Sequence, residues 1–297
     1  MVWTSLPQVV NLRDRSKLAD IVVGTFDGFR RHLTGRNAAV LAYYGVLTIF
    51  PLLMAATTIL GFVLEGDAEL QRRIVDSAFS QIPVIGDQIE SQAGNISGNW
   101  IALTVGLAVA IWSSMKAFVG TQSAFDDTWE VEVDDRVSAV KKRLRALIGI
   151  AVIGGAQVGN VVLASIVGYA GLPRLGQIAI TVGGLAINVA VVAAMYRYLT
   201  SRDLSWSMVL PGALVAAAVF TLFQFAGTNI MARTLSNAES VYGDFAGLIA
   251  LMTWISLHAL VALVGAELNA AIVERAQRNE YDDSSDPIQS EPGSLRY

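Results

Sequence analysis

Six long stretches of this chain carry no Asp, Glu, Lys or Arg: Asn37–Leu64, Ser91–Met115, Ala146–Pro173, Leu175–Tyr196, Leu204–Ala232 and Phe245–Ala266. Each reaches the length of about 20 apolar residues needed to cross a hydrocarbon core roughly 30 Å thick. None shows the apolar/polar alternation of a barrel strand, and lipid offers no partner for backbone groups, so the stretches predict six transmembrane helices. Ahead of them, Leu18, Ile21, Val22, Phe26, Phe29 and Leu33 recur at helical spacing between basic residues. That pattern predicts an amphipathic helix lying on an anionic membrane face, or one packed under the bundle. In the acidic loop 65–99, Leu70, Ile74, Ala78 and Ile82 predict a second short amphipathic helix ending at Pro83.

Composition strengthens this picture. The chain of 297 residues is 54% hydrophobic and 15% charged, with a mean hydropathy of +0.51; soluble domains average about 25% charged residues. The expected class is therefore all-α: a polytopic membrane protein with six transmembrane helices plus amphipathic interfacial helices. Three regions follow: an amphipathic cytoplasmic segment over 1–36, a six-helix domain over 37–275, and a disordered acidic tail over 276–297, which is polar and contains proline. Residues 1–36 are too polar for a cleavable signal peptide.

Charge sets the orientation. Counted over alternating connections, sixteen Lys and Arg fall on the side of both ends and four on the other, which predicts cytoplasmic termini and an even number of spans. On the cytoplasmic side, Arg30, Arg31, Arg136, Lys141, Lys142 and Arg143 are the candidates for contact with anionic lipid.

Chemistry must come from polar groups inside apolar runs, because each needs a partner, water or a substrate there. Rise per residue places Gln157 and Asn160 near mid-membrane, Lys116, Asn188 and His258 in the cytoplasmic half, and Glu267 near the inner interface. In the last span, Trp254, His258, Gly265 and Asn269 share one face, and Ser256, Leu263, Glu267 and Ala270 the opposite one. Pro51 removes a backbone hydrogen bond inside the first span, close to Tyr43 and Tyr44, and predicts a kink that either only shapes helix packing or faces a hydrated cavity beside Gln157 or Asn160. Lys116 is expected either to snorkel or to pair with Glu267. Tyr43, Pro51, Lys116, Gln157, Asn160, Asn188, His258 and Glu267 are accordingly the candidates for cavity lining or coupling. Pro211-Gly212 reads as the start or a bend of the fifth span.

The sequence contains no cysteine and two histidines, His32 and His258, so thiol catalysis is excluded and no metal-binding or acid–base framework is legible. The run "DDTWEVEVDD" reads as a solvated loop. No Walker-type phosphate loop is present, and a sequence pI near 5.2 gives no support for nucleic-acid binding.

Four blocks, "NAAVLAYYGVLTIFPLL", "DDTWEVEVDDRVSAVKKRLRAL", "SWSMVLPGALVAAAVF" and "VYGDFAGLIALMTWISLHALVALVGAELNAAIVER", make the chain similar to the YihY/BrkB family of bacterial inner-membrane proteins, including its YhjD-like members. The resemblance implies a six-helix inner-membrane protein with proposed roles in exporting lipids or other envelope components. An older name for such proteins, ribonuclease BN, implies a nuclease, which the residues disfavour. The resulting expectation is a transporter or translocase of a lipid-like or envelope-related substrate, with no cofactor and no metal. The alternatives are a non-catalytic scaffold for envelope assembly and, third, a membrane enzyme. Expected partners are membrane lipids, a lipid-like substrate, and either a second copy or envelope proteins.

Overall fold

The computed structural model describes residues 4, 6–63, 100–152 and 174–284. Among the described residues all regular structure is helical, without a strand. The helices are α1 (Pro7–Arg15), α2 (Lys17–Arg31), α3 (Thr34–Val63), α4 (Trp100–Thr128), α5 (139–152), α6 (Arg174–Leu199), α7 (Trp206–Tyr242) and α8 (Ala246–Ser284). Four helical stretches among these residues are long and apolar enough to cross a membrane: Thr104–Thr128, Val182–Leu199, Trp206–Phe223 and Ala246–Tyr281. The expected first span is helical as α3. Most of the expected third span, with Gln157 and Asn160, lies outside the described residues, as does the loop helix expected before Pro83.

α8 is the central element. It packs most extensively on α7 and also meets α2, α3 and α4, while α3 and α4 form a second close pair and α4 touches α6 only sparsely. Small buried residues allow the close pairs, among them Ala213, Ala216 and Ala217 on α7 and Ala250, Ala266 and Ala270 on α8. Ile101, Trp112, Val182, Leu214 and Leu222 point outward and are exposed, as suits helices that meet lipid.

Proline 211 sits inside α7, one turn after its start. A proline there leaves the Ser207 carbonyl without its usual donor. Ser207 is exposed, so water can reach that carbonyl; beside the proline, the neighbouring helix makes its own contacts, the Gly212 N–H donating to Asn269 Oδ1 at 2.6 Å and Asn269 Nδ2 donating to the Val209 carbonyl at 3.1 Å. Asn269 is completely buried. The two backbones come so close that a Cβ on Gly212 would collide with the Gly265 carbonyl oxygen.

With 39 residues, α8 is about 58 Å long at 1.5 Å per residue, nearly twice the hydrocarbon thickness. Its C-terminal part therefore projects from the membrane and becomes a platform for α2. Gly24 meets Ala271 there, and Asp20 pairs with Arg275 and Arg278 of α8 as well as Arg13 of α1. On the opposite side of α2, Leu18, Val22 and Phe26 form an exposed apolar stripe. The expectation of a helix packed under the bundle thus holds for one face of α2, and the other face is exposed.

Two expectations need correction. The tail expected to be disordered from 276 is helical as far as Ser284, because it continues the platform of α8. The acidic run after Phe125 is not a solvated loop throughout. Asp126 and Thr128 are buried at the end of α4, where Lys142 and Ser201 satisfy the Asp126 carboxylate.

Candidate functional site

Near the platform, five backbone segments meet around one carboxylate. Glu267 is almost fully buried, and Thr34 Oγ1 at 2.8 Å and Thr128 Oγ1 at 3.1 Å donate to its Oε1. His32 Nδ1 lies 3.0 Å from both carboxylate oxygens. A Cβ on Gly28 would collide with Glu267 Oε2, so α2 reaches this depth only with glycine there. Leu33 and Glu130, at φ 54° and 50°, take left-handed backbone conformations rare for residues with side chains. Leu33 lets His32 and Thr34, on either side of it, aim at the same carboxylate, and Glu130 turns the chain just after Thr128. Two such strained residues around one group mark a place where the surrounding packing dictates the backbone.

The electrostatics of this centre favour a charged histidine. Burial works against the imidazolium, but the hydrogen bond and charge of Glu267 outweigh it and raise His32 above its ordinary 6.5. Arg31 opposes the proton, and Glu130 assists it. His32 Nε2 faces Glu130 Oε1 at 3.6 Å, too long for a hydrogen bond, and is buried without a partner. Arg31 in turn bridges Glu130 at 2.7 Å and Glu274 at 3.8 Å.

A second polar knot lies between α4, α5 and the α6–α7 connection. The Ser201 N–H and hydroxyl donate to Asp126 at 2.7 and 3.0 Å, and Lys142 Nζ lies 3.2 Å from the same carboxylate. Gln122 donates to the Lys142 carbonyl, and Arg136 pairs with Asp127 at 2.8 Å.

Beside this knot, the sparse contact between α4 and α6 leaves a half-open cavity of about 550 Å³, within the usual range of small-molecule sites. Its wall is apolar, with Phe118, Ile148, Val152, Val191 and Met195, and its other end carries Arg145, Arg197, Arg202 and Asp203. Gly149 sets the width: a Cβ there would stand 2.6 Å from the Phe118 ring.

The residues singled out from sequence are scattered. Tyr43 is exposed and packs edge-on to Tyr44 at 5.4 Å. Lys116 holds its ammonium 5.7 Å from the Trp112 ring centre, not beside Glu267. Asn188 is half-buried on α6. His258 is packed against Phe220, Phe223 and Trp254, with its Nδ1 2.9 Å from the Trp254 carbonyl oxygen. Pro51 lies within α3, and its proposed neighbours Gln157 and Asn160 fall outside the described residues. Among the described residues, Tyr43, Lys116, Asn188, His258 and Glu267 do not line the cavity. Of the basic candidates, Arg31, Arg136 and Lys142 are in ion pairs, whereas Arg30, Lys141 and Arg143 are exposed. Sequence reasoning missed His32, Thr34 and Thr128, although a glutamate this close to an apolar run signals that partners must exist. Among the described residues no three His, Asp or Glu side chains converge as metal ligands.

Residues 25–289 match the family model described as Virulence factor BrkB. The chain belongs to that family. The match covers α3 to α8 and the last seven residues of α2, including both polar centres and the cavity. Among its relatives, a Bacillus subtilis (strain 168) protein named ribonuclease-like protein YfkH is 24% identical over 266 residues, 84% of this chain and 94% of that one. A UPF0761 membrane protein of Pseudoalteromonas translucida (strain TAC 125) is 24% identical over 80% of each chain. Another, from Vibrio vulnificus (strain YJ016), is 24% identical over 87% of this chain and 83% of its own. No solved structure matches. The chain is thus a multi-pass membrane protein of the BrkB family.

Proposed function

We infer that this BrkB protein is a transporter or translocase of an amphiphilic, envelope-related substrate. The cavity carries the reading: an apolar wall continuous with a cationic end is a surface on which a molecule with an oily part and a polar part could rest. The test is exchange of fluorescent phospholipids between leaflets of vesicles holding the purified protein. Exchange should exceed that of protein-free vesicles and fall in Gly149→Leu, which drives Phe118 into the cavity. No exchange of any phospholipid, together with unchanged envelope lipids after depletion of the protein, would remove the transport reading in favour of a scaffold.

Six spans with both ends cytoplasmic complete the proposal. The pairing of Asp20 with Arg275 and Arg278 brings the two ends of the chain to one side, which supports an even number of crossings. The excess of basic residues supports the cytoplasm of a bacterial inner membrane as that side. RNA hydrolysis, suggested by the name of YfkH, finds little support. The acid–base pair in hand, His32 and Glu267, is turned inward and hydrogen-bonded to itself. Purified protein should therefore cleave no RNA above the level of an inactive preparation.

A further inference from the structure

We propose that the cationic end of the cavity binds the phosphate headgroup of an anionic phospholipid, with Arg145, Arg197 and Arg202 as its ligands and the lipid chain lying along Phe118, Ile148, Val152 and Met195. This rests on the transport reading for its purpose but not for its binding chemistry.

The argument begins with how arginines are partnered elsewhere. Arg13, Arg31, Arg136, Arg275 and Arg278 each lie within 4.0 Å of a carboxylate. Among the described residues no carboxylate lies as close to Arg145, Arg197 or Arg202, although they share one cavity. Each is nevertheless held in place. Arg145 donates from Nη1 to the Thr200 carbonyl at 3.1 Å. Arg197 stacks 4.7 Å from Trp206 and 5.7 Å from Tyr198, and Arg202 lies 5.6 Å from Trp129. Stacking occupies the face of a guanidinium and leaves its N–H edges available, the arrangement suited to bidentate contact with phosphate oxygens.

The carboxylates nearby do not cancel this charge. Asp126 is held by Lys142 and Ser201, and Asp127 by Arg136. Asp203 alone faces the cavity against three guanidinium groups. The local excess is therefore positive in a chain whose net charge is −4. A free anion would satisfy the arginines but leave the adjoining apolar wall uncovered. A neutral lipid would cover the wall and leave the arginines unanswered. An anionic phospholipid answers both halves.

The experiment measures equilibrium binding to the full-length protein in detergent, comparing short-chain phosphatidic acid with phosphatidylcholine of the same chain length and with inorganic phosphate. Phosphatidic acid should bind about tenfold or more tighter than phosphatidylcholine. Arg197→Gln and Arg202→Gln should each weaken it about five- to tenfold, while Lys17→Gln and Arg36→Gln, at exposed positions away from the cavity, should leave it unchanged. Thermal unfolding identifies any variant that fails to fold; if Arg197→Gln does, Arg202→Gln carries the test. Equal binding of both lipids, equal losses in the Lys17 and Arg36 variants, or inorganic phosphate binding as tightly as phosphatidic acid would each overturn the proposal. The two readings fail separately. Selective binding without leaflet exchange removes transport and keeps this site. Exchange that persists unchanged in an Arg145→Gln/Arg197→Gln/Arg202→Gln variant removes this site and keeps transport.

Discussion

Replacing Asn269 with Ala should destabilise the α7–α8 pair through one specific fault. Asn269 receives the Gly212 N–H and donates to the Val209 carbonyl, on either side of Pro211. A buried backbone group that loses its partner costs about 1–3 kcal/mol, so two such groups set an upper range of about 2–6. Polar contacts between membrane helices contribute less when measured by double-mutant cycles, about 0.6 kcal/mol on average and about 1.7 at most, because released groups find other partners. Here the groups are sealed between two close backbones with Asn269 itself fully buried, which limits such rescue. The expected loss is therefore about 2 kcal/mol, between the two scales. The assay is reversible unfolding in mixed micelles, read by circular dichroism. A loss below about 0.5 kcal/mol would refute the argument that Asn269 satisfies two sealed backbone groups.

Three further outcomes follow from the polar centres. Because the folded pKa of His32 is raised above 6.5, its contact with Glu267 contributes fully below that value and is lost as pH rises through the raised pKa. The distance between spin labels on Lys17 and Gln277 should lengthen or broaden on alkalinisation, with Arg31, Glu130 and Glu274 nearby in both states; a response that persists in His32→Gln would sink the assignment. Asp126→Ala leaves Lys142 and the Ser201 N–H without their acceptor and should cost about 3 kcal/mol in the same unfolding assay, whereas a loss near zero would show that water replaces the carboxylate. A cysteine placed at Asn95 in this cysteine-free chain should react with an impermeant maleimide in intact cells, and reaction only after permeabilisation would reverse the proposed orientation.

The apolar skeleton was legible because a bilayer imposes length and the absence of charge on sequence directly. Even the two faces of α8 follow from a 100° step: Asn269, Gly265 and His258 meet α7, while Glu267 meets α2, α3 and α4. Helix ends were harder, because α8 runs past its charge-free stretch on amphipathic residues that support α2 instead of lipid. The site was less legible for a different reason. Glu267 and His32 are 235 residues apart, and no local spacing announces such a partner. The cavity escaped notice because its arginines resemble ordinary topology signals until their lack of carboxylates is seen in three dimensions. Beside Pro211 the inter-helix bonds come from Asn269, 58 positions later on another helix, and no local pattern announces such a partner.

The collision distance between Gly212 and Gly265 also has a mechanical meaning. Two backbones in such contact cannot slide lengthwise without a clash, so the crossing is a fulcrum and the motions left to α8 are tilts about it. From Gly265 to Ser284 the helix extends about 28 Å, and a tilt of roughly 10° would sweep its far end through about 5 Å. Helix α2 would travel with it, since Asp20 and His32 fasten it to that lever arm. A force applied along the exposed stripe of α2 would then be transmitted to the crossing as torque.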